Sequence, residues 1–184
     1  GGLPVLMYHK VGDPPAGSKL KKLWGSAAQF RRQMAYLRDK GYKPVTFLDL
    51  AALLDKGLAV PEKSVVITFD DGYRNNHENA FPILKEFGFK AVVYLVVNAL
   101  EKGDNFWHDP ASEARIPMLT WGQVKEMGDY GIEFGSHTMR HRNLASLSRD
   151  EVGWELSESK SRLEDKLGRE MLGFAYPYGA GAYN

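Results

Sequence analysis

Val65-Val66-Ile67-Thr68-Phe69-Asp70-Asp71-Gly72 decides how the rest of the chain is read. Five β-branched or apolar residues with no alternation describe a strand buried on both faces. Two carboxylates and a glycine follow it at once. A strand covered on both sides belongs to a parallel sheet with helices packed against it. Working outward, apolar runs at Leu3–Tyr8, Tyr42–Thr46, Ala91–Val97, Ile132–Phe134 and Met171–Ala175 read as further strands. Between them lie helical patterns. Phe30, Met34 and Leu37 recur at helical spacing, with Gly41 after them. Phe47–Lys56 stops at Gly57, and Asn79–Phe87 carries Pro82 in its first turn and Gly88 at its end. Thr120 with Gln123, and Ser148 with Glu151, make capping boxes for two more helices. Val152, Leu156, Leu163 and Leu167 supply the apolar face of the second, which ends at Gly168. Roughly six strand–helix alternations imply parallel strands joined by crossovers, in a doubly wound sheet or a barrel short of eight units.

The chain has 184 residues, which suits one domain large enough to bury a core without staples. Lys and Arg total 24 against 23 Asp and Glu, for a net charge of +1. That balance argues against a dedicated nucleic-acid binder. The absence of cysteine excludes disulfides, thiolate nucleophiles and cysteine-based zinc sites. No apolar run approaches the ~20 residues of a membrane span. Nucleophile-elbow and phosphate-loop motifs are absent as well.

Polar residues collect where strands end. His9 follows the first strand, Asp70-Asp71 the third, Ser136-His137 the fifth and Tyr176-Pro177-Tyr178-Gly179 the sixth. In a parallel α/β fold these ends share one face, so the four clusters should converge. Two adjacent carboxylates in a dry cleft cannot both ionise cheaply, unless a divalent cation takes one as a ligand and leaves the other as a base. Asp-Asp-Gly is equally good turn chemistry. His137 and His141 stand four residues apart, so on a helical turn they share a face and can reach one metal. One Asp and two His leave a coordination position for water, the pattern of a catalytic zinc site. His77 reads as a solvated first-turn residue and His108 as a loop histidine without a role. Trp24, Trp121 and Trp154 read as packing residues.

Together these stretches resemble a known family. Thr68-Phe69-Asp70-Asp71-Gly72, His137-Thr138-Met139-Arg140-His141 and Pro177-Tyr178-Gly179 are similar to the first three motifs of the polysaccharide deacetylases, the NodB-homology or carbohydrate esterase family 4. Pro4-Val5-Leu6-Met7-Tyr8-His9 resembles the opening of the branch that deacetylates poly-β-1,6-N-acetylglucosamine. The resemblance implies a distorted, incomplete (β/α) barrel with parallel strands, and one such domain over residues 1–184. It implies a divalent metal, zinc first and Co²⁺ or Ni²⁺ as alternatives, held by Asp71, His137 and His141. It makes Asp70 the general base, His9 the general acid and the Tyr178 backbone N–H the oxyanion donor. Pro177, Tyr178 and Trp107 would contact substrate.

The implied reaction is hydrolytic N-deacetylation of an N-acetylglucosamine polysaccharide, with an extracytoplasmic location. Chitin-type oligomers, peptidoglycan and O-acetylated xylan are alternative substrates; an inactive glycan binder is the alternative of another class. Two features depart from the family pattern. Ala175 stands where an Arg usually holds the catalytic Asp, so something else must orient Asp70. The chain also ends at Asn184, a few residues after the third motif, so truncation of the barrel's later strands is expected.

Overall fold

A computed structural model describes residues 2–108 and 113–179. Strand β1 (Val5–Tyr8), β5 (Ser64–Phe69), β6 (Val92–Leu95) and β7 (Glu133–Ser136) form one sheet in that spatial order. A short β4 (Lys43–Pro44) pairs with the start of β5, at Ser64 and Val65. Every one of these pairings is parallel. Separately, β2 (Lys10–Val11) pairs with β3 (Trp24–Gly25). This is the expected parallel α/β architecture, in open form: among the described residues β1 pairs only with β5.

Helices cover the sheet because their caps and apolar faces fit. Helix α1 (Ala27–Asp39) is capped by Ser26 and buries Phe30, Met34 and Leu37. Helix α3 (Phe81–Phe87) has Pro82 in its first turn and left-handed Gly88 at its end. Helices α5 (Trp121–Tyr130) and α6 (Arg149–Leu167) carry the two expected capping boxes. Helix α2 (Phe47–Asp55) has a third, made by Thr46 and Asp49. The pleat sends Val65, Ile67 and Phe69 of β5 into the main core, with Phe30, Met34, Phe81 and Leu84. Val66 points the other way, into a smaller cluster with Leu50, Val92 and Tyr94. Val5 and Met7 of β1 remain 50% and 66% exposed.

Five expectations change. The sixth strand, Met171–Ala175, contracts to one parallel bridge between Phe174 and Ser136. The fourth strand ends at Leu95, and Val97 instead opens helix α4 (Val97–Lys102). A π turn over Asn76–Ala80 precedes α3, so the helical segment begins earlier than residue 79. On α6 the fully buried positions are Glu155, Ser159 and Leu163, with Val152, Leu156 and Leu167 only half-buried. Leu163 is in the core as expected and Leu167 packs against it, but the other fully buried positions of this face are polar, which apolar periodicity does not register. Trp154 is also not a core residue: it is 41% exposed, with the Arg140 guanidinium 4.5 Å above its ring.

Candidate metal centre

Parallel strands deliver their carboxyl ends to one face, and backbone hydrogen bonds fix the register there. The Asp70 amide donates to the Tyr8 carbonyl at 2.9 Å, so His9 and Asp70 leave adjacent strand ends together. The His137 amide donates to Leu95, and the Ser136 and Phe174 segments exchange bonds through Gly173 and Ala175. Gly135 is required at this crossing. A Cβ there would lie 2.7 Å from the Tyr94 ring and 2.8 Å from the Gly173 carbonyl oxygen.

The result is a buried triad. Ligand atoms of Asp71, His137 and His141 all lie within 4.8 Å of one another. Asp71 Oδ1 is 3.2 Å from His141 Nε2 and 3.5 Å from His137 Nε2. Tetrahedral zinc with bonds of about 2.0–2.1 Å spaces its ligands about 3.3 Å apart, so the donor set fits the ion. Asp71 Oδ1 is buried and faces the two imidazole nitrogens without a well-formed hydrogen bond, which suits an oxygen that would ligate a cation, since buried polar atoms are otherwise nearly always paired. His137 Nδ1 lies 2.8 Å from the Ala175 carbonyl. That bond places the proton on Nδ1 and frees the Nε2 lone pair. Position 175 therefore serves the site through its backbone, whatever its side chain.

Strain marks the same loops. Asp71, Thr138, His141 and Tyr178 all have positive φ, at 77°, 69°, 54° and 66°. Non-glycine residues keep such angles only where surrounding contacts impose them. Glu155 on α6 supplies those contacts for the histidine loop. Its Oε2 accepts from the Met139 and Arg140 amides at 2.9 and 3.0 Å, and its Oε1 from Arg140 Nε at 2.7 Å. Beside it, Ser136 and Ser159 hydroxyls meet at 2.7 Å, and the Thr138 amide donates to Ser136. Neither Glu155 nor Ser159 was a sequence-based candidate; a Glu and a Ser on an otherwise amphipathic helix carry no signal of burial.

Electrostatics separates the two aspartates. Burial would raise the Asp71 carboxyl, but the His141 and His137 imidazoles outweigh it and hold it well below the usual carboxylate range. Asp70 goes the other way. Burial, opposed by His137 and reinforced by Asp71, pushes it up to about 6. His9 Nε2 lies 3.9 Å from Asp70 Oδ2, which brings the candidate acid beside the candidate base. Burial lowers the His9 pKa, and the Asp71 carboxylate opposes that shift.

Trp107 and Tyr178 flank the centre. Their rings lie 4.9 and 4.8 Å from the His141 ring, along a groove of about 530 Å³ that Arg142 and Asn143 also line. Tyr178 itself is 62% exposed. Pro177 is buried and outside that groove's lining. His77 is half-buried against Glu126 at 2.8 Å, away from the triad. His108 contacts the buried Tyr73 hydroxyl at 3.3 Å.

An open parallel α/β sheet carrying an Asp–His–His centre at its strand ends defines the class. The polysaccharide deacetylase family model matches residues 57–184, and this chain belongs to that family. The YxkH protein of Bacillus subtilis (strain 168) is 32% identical over 177 residues, covering 96% of this chain and 57% of YxkH. The poly-β-1,6-N-acetyl-D-glucosamine N-deacetylase of Escherichia coli (strain K12) is 32% identical over 148 residues, covering 74% of this chain and 20% of that protein. The chain thus spans only part of these relatives. Among solved structures, the Streptococcus pyogenes deacetylase PplD in complex with acetate superposes with a TM-score of 0.82 at 27% identity, over 99% of this chain and 75% of that one.

Proposed function

We propose that this chain catalyses metal-dependent N-deacetylation of an acetylated amino-sugar polysaccharide, with poly-β-1,6-N-acetylglucosamine as the substrate. The observation that carries this reading is the buried, unpaired Asp71 Oδ1 facing two imidazole nitrogens, with Asp70 alongside. The substrate choice is supported by the similarity to the Escherichia coli enzyme.

Asp71, His137 and His141 would hold the cation. A divalent ion there supplies Lewis acidity, polarising an acyl oxygen and lowering the pKa of water. Asp70, raised toward neutrality, accepts the proton of the attacking water. The Tyr178 backbone N–H donates to the oxygen that gains charge. His9 donates a proton to the sugar nitrogen, because an amine anion does not leave at neutral pH. Trp107 and Tyr178 offer aromatic faces to the sugar rings. The attacking group is water, so the reaction needs no covalent enzyme intermediate.

The substrate class places the site of action outside the cytoplasm. No helix among the described residues is long and apolar enough to cross a membrane. Acetate release from β-1,6- and β-1,4-linked N-acetylglucosamine oligomers tests the reading, with zinc, cobalt or nickel added after chelation. Faster release from the β-1,6 oligomer, abolished by chelator and by Asp71→Ala, is expected. Release that survives thorough metal removal would overturn the metal dependence. Equal rates on both linkages would overturn the substrate choice.

A further inference from the structure

His9 lies between two short strands, and its own carbonyl falls outside either ladder: β1 ends at Tyr8 and β2 begins at Lys10. Side chains do the work of a strand partner. Asn76 Nδ2 donates to the His9 carbonyl at 2.8 Å. Asn75 Oδ1 accepts from the Val11 amide at 3.1 Å, and Asn79 Nδ2 donates to the Val11 carbonyl at 2.7 Å. Asn76 Nδ2 also reaches Asn75 Oδ1 at 3.3 Å, which joins the amides into one chain. Three asparagines from a single segment thereby clamp residues 9–11 onto the π turn that follows Asp70-Asp71-Gly72.

Asn76 is 1% exposed, and its Oδ1 makes no hydrogen bond. A buried, unpaired amide oxygen is unfavourable, so an apolar side chain would suit the space better if packing were its purpose. What the amide supplies is a donor aimed at the His9 backbone. A π turn within a helical segment is itself a departure that recurs at functional sites. The same turn grows out of the base and ligand, Asp70 and Asp71. Acid and base are thus referenced to one piece of backbone, although 61 residues separate His9 from Asp70 in sequence.

We infer that Asn76 is a positioning residue for His9: its side-chain amide, supported by Asn75 and Asn79, holds the imidazole where it can protonate the leaving nitrogen. This rests on the acid role proposed above for His9. Displacement of a reacting group by about 1 Å can cost about 100-fold in rate, which sets the scale of the effect.

The experiment compares Asn76→Ala, isosteric Asn76→Asp, His9→Ala and the Asn76→Asp/His9→Ala pair on two substrates. One is an N-acetylglucosamine oligomer, whose amine must be protonated to leave. The other is an aryl acetate, whose phenolate leaves without an acid. Both Asn76 variants should lower kcat on the oligomer about ten- to hundredfold. Zinc affinity by competition and aryl-acetate turnover should stay near wild type. The double variant should be no slower than His9→Ala alone. By NMR of the metal-free protein, Asn76→Asp should shift the His9 ring signals and leave those of His137 and His141 in place. Wild-type turnover of the oligomer by both Asn76 variants would overturn the inference while leaving the acid role standing. So would equal losses on both substrates, additivity with His9→Ala, or unmoved His9 signals. Undiminished oligomer turnover by His9→Ala would instead remove the acid role, and the positioning role with it.

Discussion

Replacing Glu155 with alanine tests what holds the histidine loop in its strained shape. The carboxylate is 0% exposed and accepts three hydrogen bonds, two from the adjacent amides of Met139 and Arg140. Alanine leaves the buried Met139 amide and the partly buried Arg140 amide without acceptors, at about 1–3 kcal/mol each. The Arg140 arm is 35% exposed, so solvent recovers much of its interaction and it adds little more. A loss of about 3–5 kcal/mol follows, a large part of the ~5–15 kcal/mol that stabilises a typical domain. For a chain of this size that lowers Tm by about 6–20 °C. Glu155→Gln keeps one oxygen for the amides, so its loss should be about 1–2 kcal/mol. The same loop presents His141, so zinc affinity should fall about 10–100-fold in Glu155→Ala, as removal of supporting partners does elsewhere. Thermal denaturation and a chelator competition read the two effects. A Glu155→Ala protein with wild-type Tm and wild-type zinc affinity would refute the idea that α6 holds the site.

Asp71→Asn should weaken zinc binding by more than about 100-fold, exceeding the effect of any supporting residue, as measured by isothermal titration. Lys10 and Glu113 form a pair at 3.4 Å with both side chains 0% exposed. Lys10→Met should cost about 3–5 kcal/mol in urea denaturation, and adding Glu113→Gln should recover part of it, since the uncompensated charge is then gone. Burial pushes the His108 pKa down from 6.5 to about 4. Its unfolded form therefore binds the proton first, so the His108 contribution to stability should fall as pH drops from 6.5 toward 4 and level off below that. His108→Gln should flatten this window in denaturation midpoints taken across the pH range.

Much of the architecture was legible because the signals were local. The run Val65–Phe69 is β-branched or apolar at every position and ends in Asp-Asp-Gly, which reads as a strand buried on both faces. Capping boxes at Thr120 and Ser148 act over three residues, so spacing alone revealed them. The sixth strand failed because strandedness depends on a neighbour: Met171–Ala175 has strand-like composition, yet only Phe174 bridges to β7. The polar stripe of α6 was missed because burial of Glu155 is favourable only where the histidine loop offers three donors, and the loop is remote in sequence. The place of the absent Arg is illuminated in the same way. Ala175 has no polar side chain, yet its carbonyl fixes the tautomer of His137.

The sequence by itself determined most element types and the parallel direction of the strands, and it singled out Asp70, Asp71, His137 and His141 as groups that meet once strand ends share a face. Tertiary structure decided what those groups are. It set the two aspartates apart, one held ionised beside two imidazoles and the other pushed up to about 6 by burial. It also brought His9 within 3.9 Å of Asp70 and pinned it through Asn76. The physical reason is range. Periodicity and capping act within a turn or a strand, whereas desolvation, tautomer choice and side-chain clamps depend on which distant segments pack together.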